Sequence, residues 1–117
     1  MSYNPREMLD DFLGGMKRAE KTNSAEVTAF LSLLGSTYAP STLDTKTKEL
    51  ISVAISAYNR CEYCIVFHVY KAMEAGANRQ EIMDAAMVAV AFGGGPSMAY
   101  ISVLLIKSID EFEDDFR

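Results

Sequence analysis

Apolar residues recur along this chain every three or four positions and nowhere alternate in twos, so the pattern predicts helices and no strand. Pro5 suits the first turn of a helix over about 5–21, with Met8, Leu9, Phe12 and Met16 on one stripe and Gly14-Gly15 as its weak point. Asn23 or Ser24 caps a second helix through Phe30, Leu31 and Leu34, stopped before Pro40, and a loop over 39–43 follows. Asp44 caps a third, whose Leu50, Ile51, Val53, Ala54, Ile55, Ala57 and Tyr58 spread around most of its circumference, the mark of a central, buried helix.

After a break at Asn59-Arg60, a fourth helix spans about 61–74 and is ended by Gly76. Asn78 with Glu81 has capping-box spacing and starts a fifth through Ile82, Ala86 and Val90 to Phe92. Gly93-Gly94-Gly95-Pro96 breaks the pattern, and Pro96 opens a sixth through Ile101, Leu104 and Leu105 toward Ile109, leaving the acidic run 110–115 as a frayed, solvated end. The fold expected is all-α, about six helices around a central antiparallel pair, with short loops making neighbours antiparallel.

Composition narrows what such a bundle does. A chain of 117 residues, 50% hydrophobic, is one domain, 1–117, with enough core to need no metal or disulfide staple. A formal charge of −5, from 11 Lys+Arg against 16 Asp+Glu, repels phosphate backbones and anionic lipid, so neither nucleic acid nor membrane is an expected partner. The start has neither the basic residues nor the apolar run of a signal peptide, and Lys46, Lys48, Arg60, Lys71 and Lys107 keep apolar stretches short of a bilayer span, so a cytoplasmic protein is expected. Two cysteines make a poor disulfide framework, which leaves catalysis, redox sensing or metal binding for the thiols.

Cys61, Cys64 and His68, in the order C-x-x-C-x-x-x-H, are every cysteine and the only histidine of the chain. Separated by three and four residues, they share one helix face, so the two sulfurs and the imidazole come within reach of one another. A helix N-terminus or a neighbouring histidine stabilises a thiolate, the attacking species. The helix end favours Cys61 and the imidazole favours Cys64, so these residues alone do not decide which attacks first. On the preceding helix Glu49, Ser52, Ser56 and Arg60 form the one polar stripe. Either the stripe faces the next helix, where Glu49 can orient the imidazole or accept a proton, or it is the solvated side.

The segment from Glu49 through Cys61 and Cys64 to His68, followed by Gly76 and Asn78-Arg79-Gln80-Glu81-Ile82, resembles the core motif of the alkylhydroperoxidase D-like proteins of the carboxymuconolactone decarboxylase superfamily. The resemblance covers about residues 44–95 and is far more specific than a bare C-x-x-C. It implies an all-helical subunit, assembled as a homo-oligomer (trimer or hexamer), with a thiol peroxidase or disulfide reductase site that uses no cofactor and draws on an external dithiol reductant. By the same resemblance Cys64 attacks the peroxide, Cys61 resolves it as an intramolecular disulfide, His68 helps deprotonate Cys64 and Glu49 ends the proton relay. The best-known members carry a second histidine directly before the second cysteine, where this chain has Tyr63, a poor base near neutral pH.

Other readings stand beside this one. The cysteines can be buried small hydrophobes, or with His68 and Glu49 they can ligate zinc, although three ligands on one helix turn are unusual geometry. Decarboxylase-like lactone chemistry belongs to the same superfamily, but true decarboxylases generally lack the cysteine pair. Tyr58, Phe67 and Tyr70 either line a substrate pocket or pack between helices, the methionines are core or interface filler, and Gly93-Gly94-Gly95 lacks the lysine and hydroxyl of a phosphate loop.

Overall fold

The computed structural model describes residues 2–117. Helices α1 (Pro5–Thr22) and α2 (Ser24–Tyr38) precede α3 (Thr45–Asn59) and α4 (Glu62–Glu74). Helix α5 (Arg79–Tyr100) then passes through a π-helical turn (Ile101–Leu105) into α6 (Ile106–Phe112) and a short 3-10 turn (Glu113–Phe116). Among the described residues there is no strand, as the periodicity requires.

Local chemistry sets most of the boundaries. Asn4 Oδ1 accepts from the Glu7 amide at 3.1 Å ahead of Pro5, and Asp44 Oδ1 accepts from the Thr47 amide at 2.8 Å, each satisfying an orphan donor of a first turn. Gly76, at φ 98°, takes the left-handed turn that ends α4, while Asn78 and Glu81 form a complete capping box at the start of α5. The core lies where α3 packs on both α4 and α5. Val53 and Ala57 close it from α3, Ile65, Val66 and Val69 from α4, and Ile82, Ala86, Leu104 and Phe112 from the last helices.

Several expectations change. Asn23 makes no side-chain cap for α2; its amide donates to Glu26 instead, and no residue of α2 is buried. Helix α3 is not buried all round, because Ile51, Ile55 and Tyr58 are exposed on one side. The break expected at Gly93–Pro96 is a kink: Gly94 adopts φ 63°, ψ −144°, a conformation that glycine alone takes without strain, and the chain resumes helix through Pro96. The six expected helices therefore become five rods, the last bent and continuous to the C-terminal end.

That last rod also corrects the expectation about apolar length. By length and composition alone, the 38-residue stretch Arg79–Phe116 is long and apolar enough to cross a bilayer. Its inward residues Ile82, Ala86, Ala89, Ile101, Leu104 and Leu105 are closed in the core, while Met87, Val88, Phe92 and Val103 are exposed on its other side.

The acidic end is docked rather than frayed. Phe112 is fully buried, and Arg6 lies 5.2 Å from its ring centroid. Arg6 donates to Glu111 and Asp115 at 3.1 and 3.0 Å, and Arg79 pairs with Asp110 and Glu113, so two cations remote in sequence hold the run. Both guanidiniums are held above their ordinary range by these carboxylates.

Candidate functional site

The site is built on the α3–α4 hairpin. Arg60 ends α3 in the left-handed region at φ 55°, rare for a non-glycine residue, and the turn lets the Cys61 amide donate back to the Ser56 carbonyl at 3.1 Å. Cys61 is thereby fixed as the N-cap of α4, where its sulfur accepts from the Cys64 amide at 3.3 Å. The two cysteines are joined by a disulfide across a Cα–Cα distance of 5.2 Å. Both are half-buried at the positive end of the helix, the position that favours a thiolate once the bond is reduced.

His68 lies one turn beyond Cys64 on the same helix. Its Nδ1 is 2.8 Å from Glu49 Oε1 on α3. Glu49 stands eleven residues before Arg60 and His68 seven after Cys61, on two helices that pack against each other across that turn. The side chains are 3% exposed for Glu49 and 16% for His68. An ionised carboxylate only accepts, so Nδ1–H of His68 donates to Glu49, and in the tautomer this selects Nε2 carries the free lone pair. Among the described residues Nε2 has no hydrogen-bond partner.

The polar stripe of α3 faces inward, which removes the solvated alternative for its first three members. Glu49, Ser52 and Ser56 are buried, whereas Arg60 is exposed. Ser52 Oγ donates to the Lys48 carbonyl at 3.0 Å, so the Tyr38 hydroxyl, in short contact with Ser52 Oγ, is the donor of that pair. The Tyr38 ring stacks on the imidazole, centroids 5.8 Å apart at 28°, and the Phe67 ring meets it edge-on at 5.1 Å. A cleft lined by Tyr38, Lys46, Glu49, Lys71 and Glu74 brings solvent toward the carboxylate.

The other candidates disperse. Of the aromatics named from the sequence, only Phe67 touches the site; Tyr58 is exposed on the opposite side of α3, and Tyr70 packs on Phe112 and Phe116. Tyr63 is exposed and lines a groove with Phe12, Gly15 and Met16, apart from the Glu49–His68 pair. Among the described residues, with Cys61 and Cys64 joined in the disulfide, no group of three His, Cys, Asp or Glu side chains is placed to hold a metal ion. Tyr38 is the residue that sequence reasoning missed. It ends a helix remote from the motif, and no periodic signal ties it to His68.

The profile of the carboxymuconolactone decarboxylase family matches residues 26–104, more than half of the chain. The chain belongs to that family. A protein of the cox locus of Paracoccus denitrificans, itself without an assigned activity, is 38% identical over 85 residues, 73% of this chain and 76% of the relative. The apo crystal structure of a carboxymuconolactone decarboxylase family protein from Legionella pneumophila is 30% identical, with a TM-score of 0.88 over 93% of this chain and 96% of that one. A family protein from Thermotoga maritima, for which an antioxidative role has been suggested, shares the fold at 24% identity, with a TM-score of 0.81 over 91% of this chain and 90% of that one. The alkylhydroperoxidase D-like resemblance and the all-helical fold both agree with this membership, and members of the family include enzymes.

Proposed function

We propose that this carboxymuconolactone decarboxylase family protein is a thiol oxidoreductase that reduces peroxides or disulfides. The observation that carries the reading is the Cys61–Cys64 pair at the start of α4 with the buried Glu49–His68 hydrogen bond one turn along the same face. In the reduced protein the Nε2 lone pair of His68 accepts the Cys64 proton. The Cys64 thiolate attacks a peroxide oxygen, forming an S–O bond as the O–O bond breaks, and the leaving alkoxide or hydroxide takes a proton from the imidazolium. The Cys61 thiol then attacks the sulfenic sulfur, water leaves and the disulfide forms. The peroxide gains two electrons and the cysteines lose two, which an external dithiol restores with two protons. The same attack by Cys64 on a small-molecule disulfide gives the reductase reaction. No cofactor is needed, because both electrons pass through sulfur.

A cytoplasmic location suits the reading, since a dithiol that must return to its reduced form works in a reducing compartment. Assembly with copies of itself belongs to it as well, and the support is the exposed apolar side of α3 and α5. The test is dithiol-driven peroxide turnover with the disulfide mapped by mass spectrometry. Wild type is expected to consume peroxide and form Cys61–Cys64, while Cys64→Ser loses turnover; full activity in Cys64→Ser overturns the proposal. The superfamily's lactone decarboxylation is the competing chemistry, and it would survive alkylation of both thiols.

A further inference from the structure

Helix α2 contributes no buried residue, yet its last residue reaches the centre of the site. Tyr38 is anchored twice on α3: its carbonyl accepts from Thr45 Oγ1 at 2.8 Å, and its hydroxyl donates to Ser52 Oγ. Between these anchors its ring stacks, offset, against one face of the His68 imidazole. Phe67 closes a second side, while Glu49 takes one edge through Nδ1. A single hydrogen bond to Glu49 leaves the imidazole free to rock about its own bond to the chain, whereas a ring stacked on its face does not.

We propose that Tyr38 is a positioning residue of the dithiol site: stacked on His68 and pinned through Ser52, it keeps Nδ1 on Glu49 and so keeps Nε2 as the proton acceptor for the cysteine pair. The last clause rests on the thiol oxidoreductase reading; the first does not. Tyr38 neither touches sulfur nor exchanges a proton in this role. Its two anchors lie on the helix that carries Glu49, so the acceptor of Nδ1–H and the cover of the ring move as one body. The side chain performs two separable jobs, which substitutions can divide. Tyr38→Phe keeps the stacked ring and loses the bond to Ser52, Ser52→Ala removes that acceptor together with the Ser52–Lys48 bond within α3, and Tyr38→Leu removes the stack.

Because His68 is the only histidine in the chain, heteronuclear NMR of the imidazole in the reduced full-length protein reads its tautomer without ambiguity. Wild type is expected to hold the proton on Nδ1. Tyr38→Leu is expected to give a mixture of tautomers and to slow alkylation of Cys64 at neutral pH by roughly 3- to 10-fold, less than the ~100-fold that loss of a general base brings. Its alkylation profile moves toward higher pH, and Tyr38→Phe and Ser52→Ala fall between it and wild type. Circular dichroism establishes that each variant is folded, and the conservative Phe and Ala variants carry the test if Leu is not. An unchanged tautomer and an unchanged alkylation profile in the folded variants overturn the proposal. A shifted tautomer in a protein whose wild type shows no peroxide turnover upholds the positioning role and defeats the peroxidase reading; turnover with an unmoved tautomer does the reverse.

Discussion

Glu49 Oε1 stands 2.8 Å from His68 Nδ1, joining α3 to α4 through a carboxylate that is almost wholly removed from water. A buried carboxylate without a partner is costly, and an imidazole whose Nδ1–H loses its acceptor is left unsatisfied in turn. Glu49→Ala is therefore expected to destabilise the fold by about 1–3 kcal/mol in urea unfolding, with Glu49→Gln costing less because the shape and an acceptor oxygen remain. Both variants are expected to slow peroxide turnover by roughly 10- to 100-fold, since neither holds the imidazole against a negative charge. Wild-type turnover in Glu49→Gln would show that the carboxylate only supports structure.

The docking of the C-terminal run makes a second prediction. Phe112 is fully buried against Tyr70 and beside Arg6, so Phe112→Ala is expected to cost about 3–5 kcal/mol, measured by chemical denaturation. Arg6→Ala is expected to cost no more than about 1 kcal/mol, because its carboxylate pairs sit largely in water. A solvated tail would make both substitutions neutral.

How far the chain announces its own structure depends on whether a signal is local. Asp44, Gly76 and the Asn78–Glu81 box act on backbone groups within a turn of themselves, so the boundaries they set are readable residue by residue. Glu49 and His68 are readable as candidates, since their helices flank the short turn at Arg60 and Cys61, but which side of α3 meets α4 is decided only by the packing of the two helices. The acidic end reads as solvated because six of the eight residues from Asp110 carry charge, while the arginine and the core that hold Phe112 come from far away in sequence. Tyr38 fails for the same reason: what gives it a role is a ring on another helix, and nothing in the spacing of α2 points there.

Acid sensitivity follows from the Lys46–Glu81 pair, 2.7 Å apart, which ties α3 to the start of α5. The Lys46 ammonium and the Asn78 amide hold the Glu81 carboxyl below the usual carboxylate range, and Glu81 raises Lys46 in return. A carboxyl depressed in the folded state stabilises fully above its unfolded value, about 4.3, and loses that contribution as pH falls through the lower folded value. Glu81→Gln keeps the capping-box geometry and removes the charge. The stability difference between wild type and Glu81→Gln is therefore expected to be flat through neutral pH and to shrink below about pH 4. A difference that persists unchanged into strong acid would assign the effect to the cap rather than the ion pair.

The exposed apolar side of α3 and α5 leads to the remaining prediction. Ile55 and Tyr58 of α3 line a shallow hollow with Val88 and Phe92 of α5, and Phe92 is 80% exposed. A contiguous apolar face is the kind of surface that another chain can cover, and under the proposed self-assembly a second copy is expected to cover this one. Phe92 sits two residues before the Gly94 kink. Charging the hollow should then separate subunits without unfolding them: Phe92→Glu is expected to lower the mass seen by light scattering while leaving the helical circular dichroism intact. Wild type that scatters as a monomer, or Phe92→Glu that scatters like wild type, rules this face out as the interface. The disulfide chemistry stands or falls separately, because Cys61, Cys64, His68 and Glu49 all come from one chain.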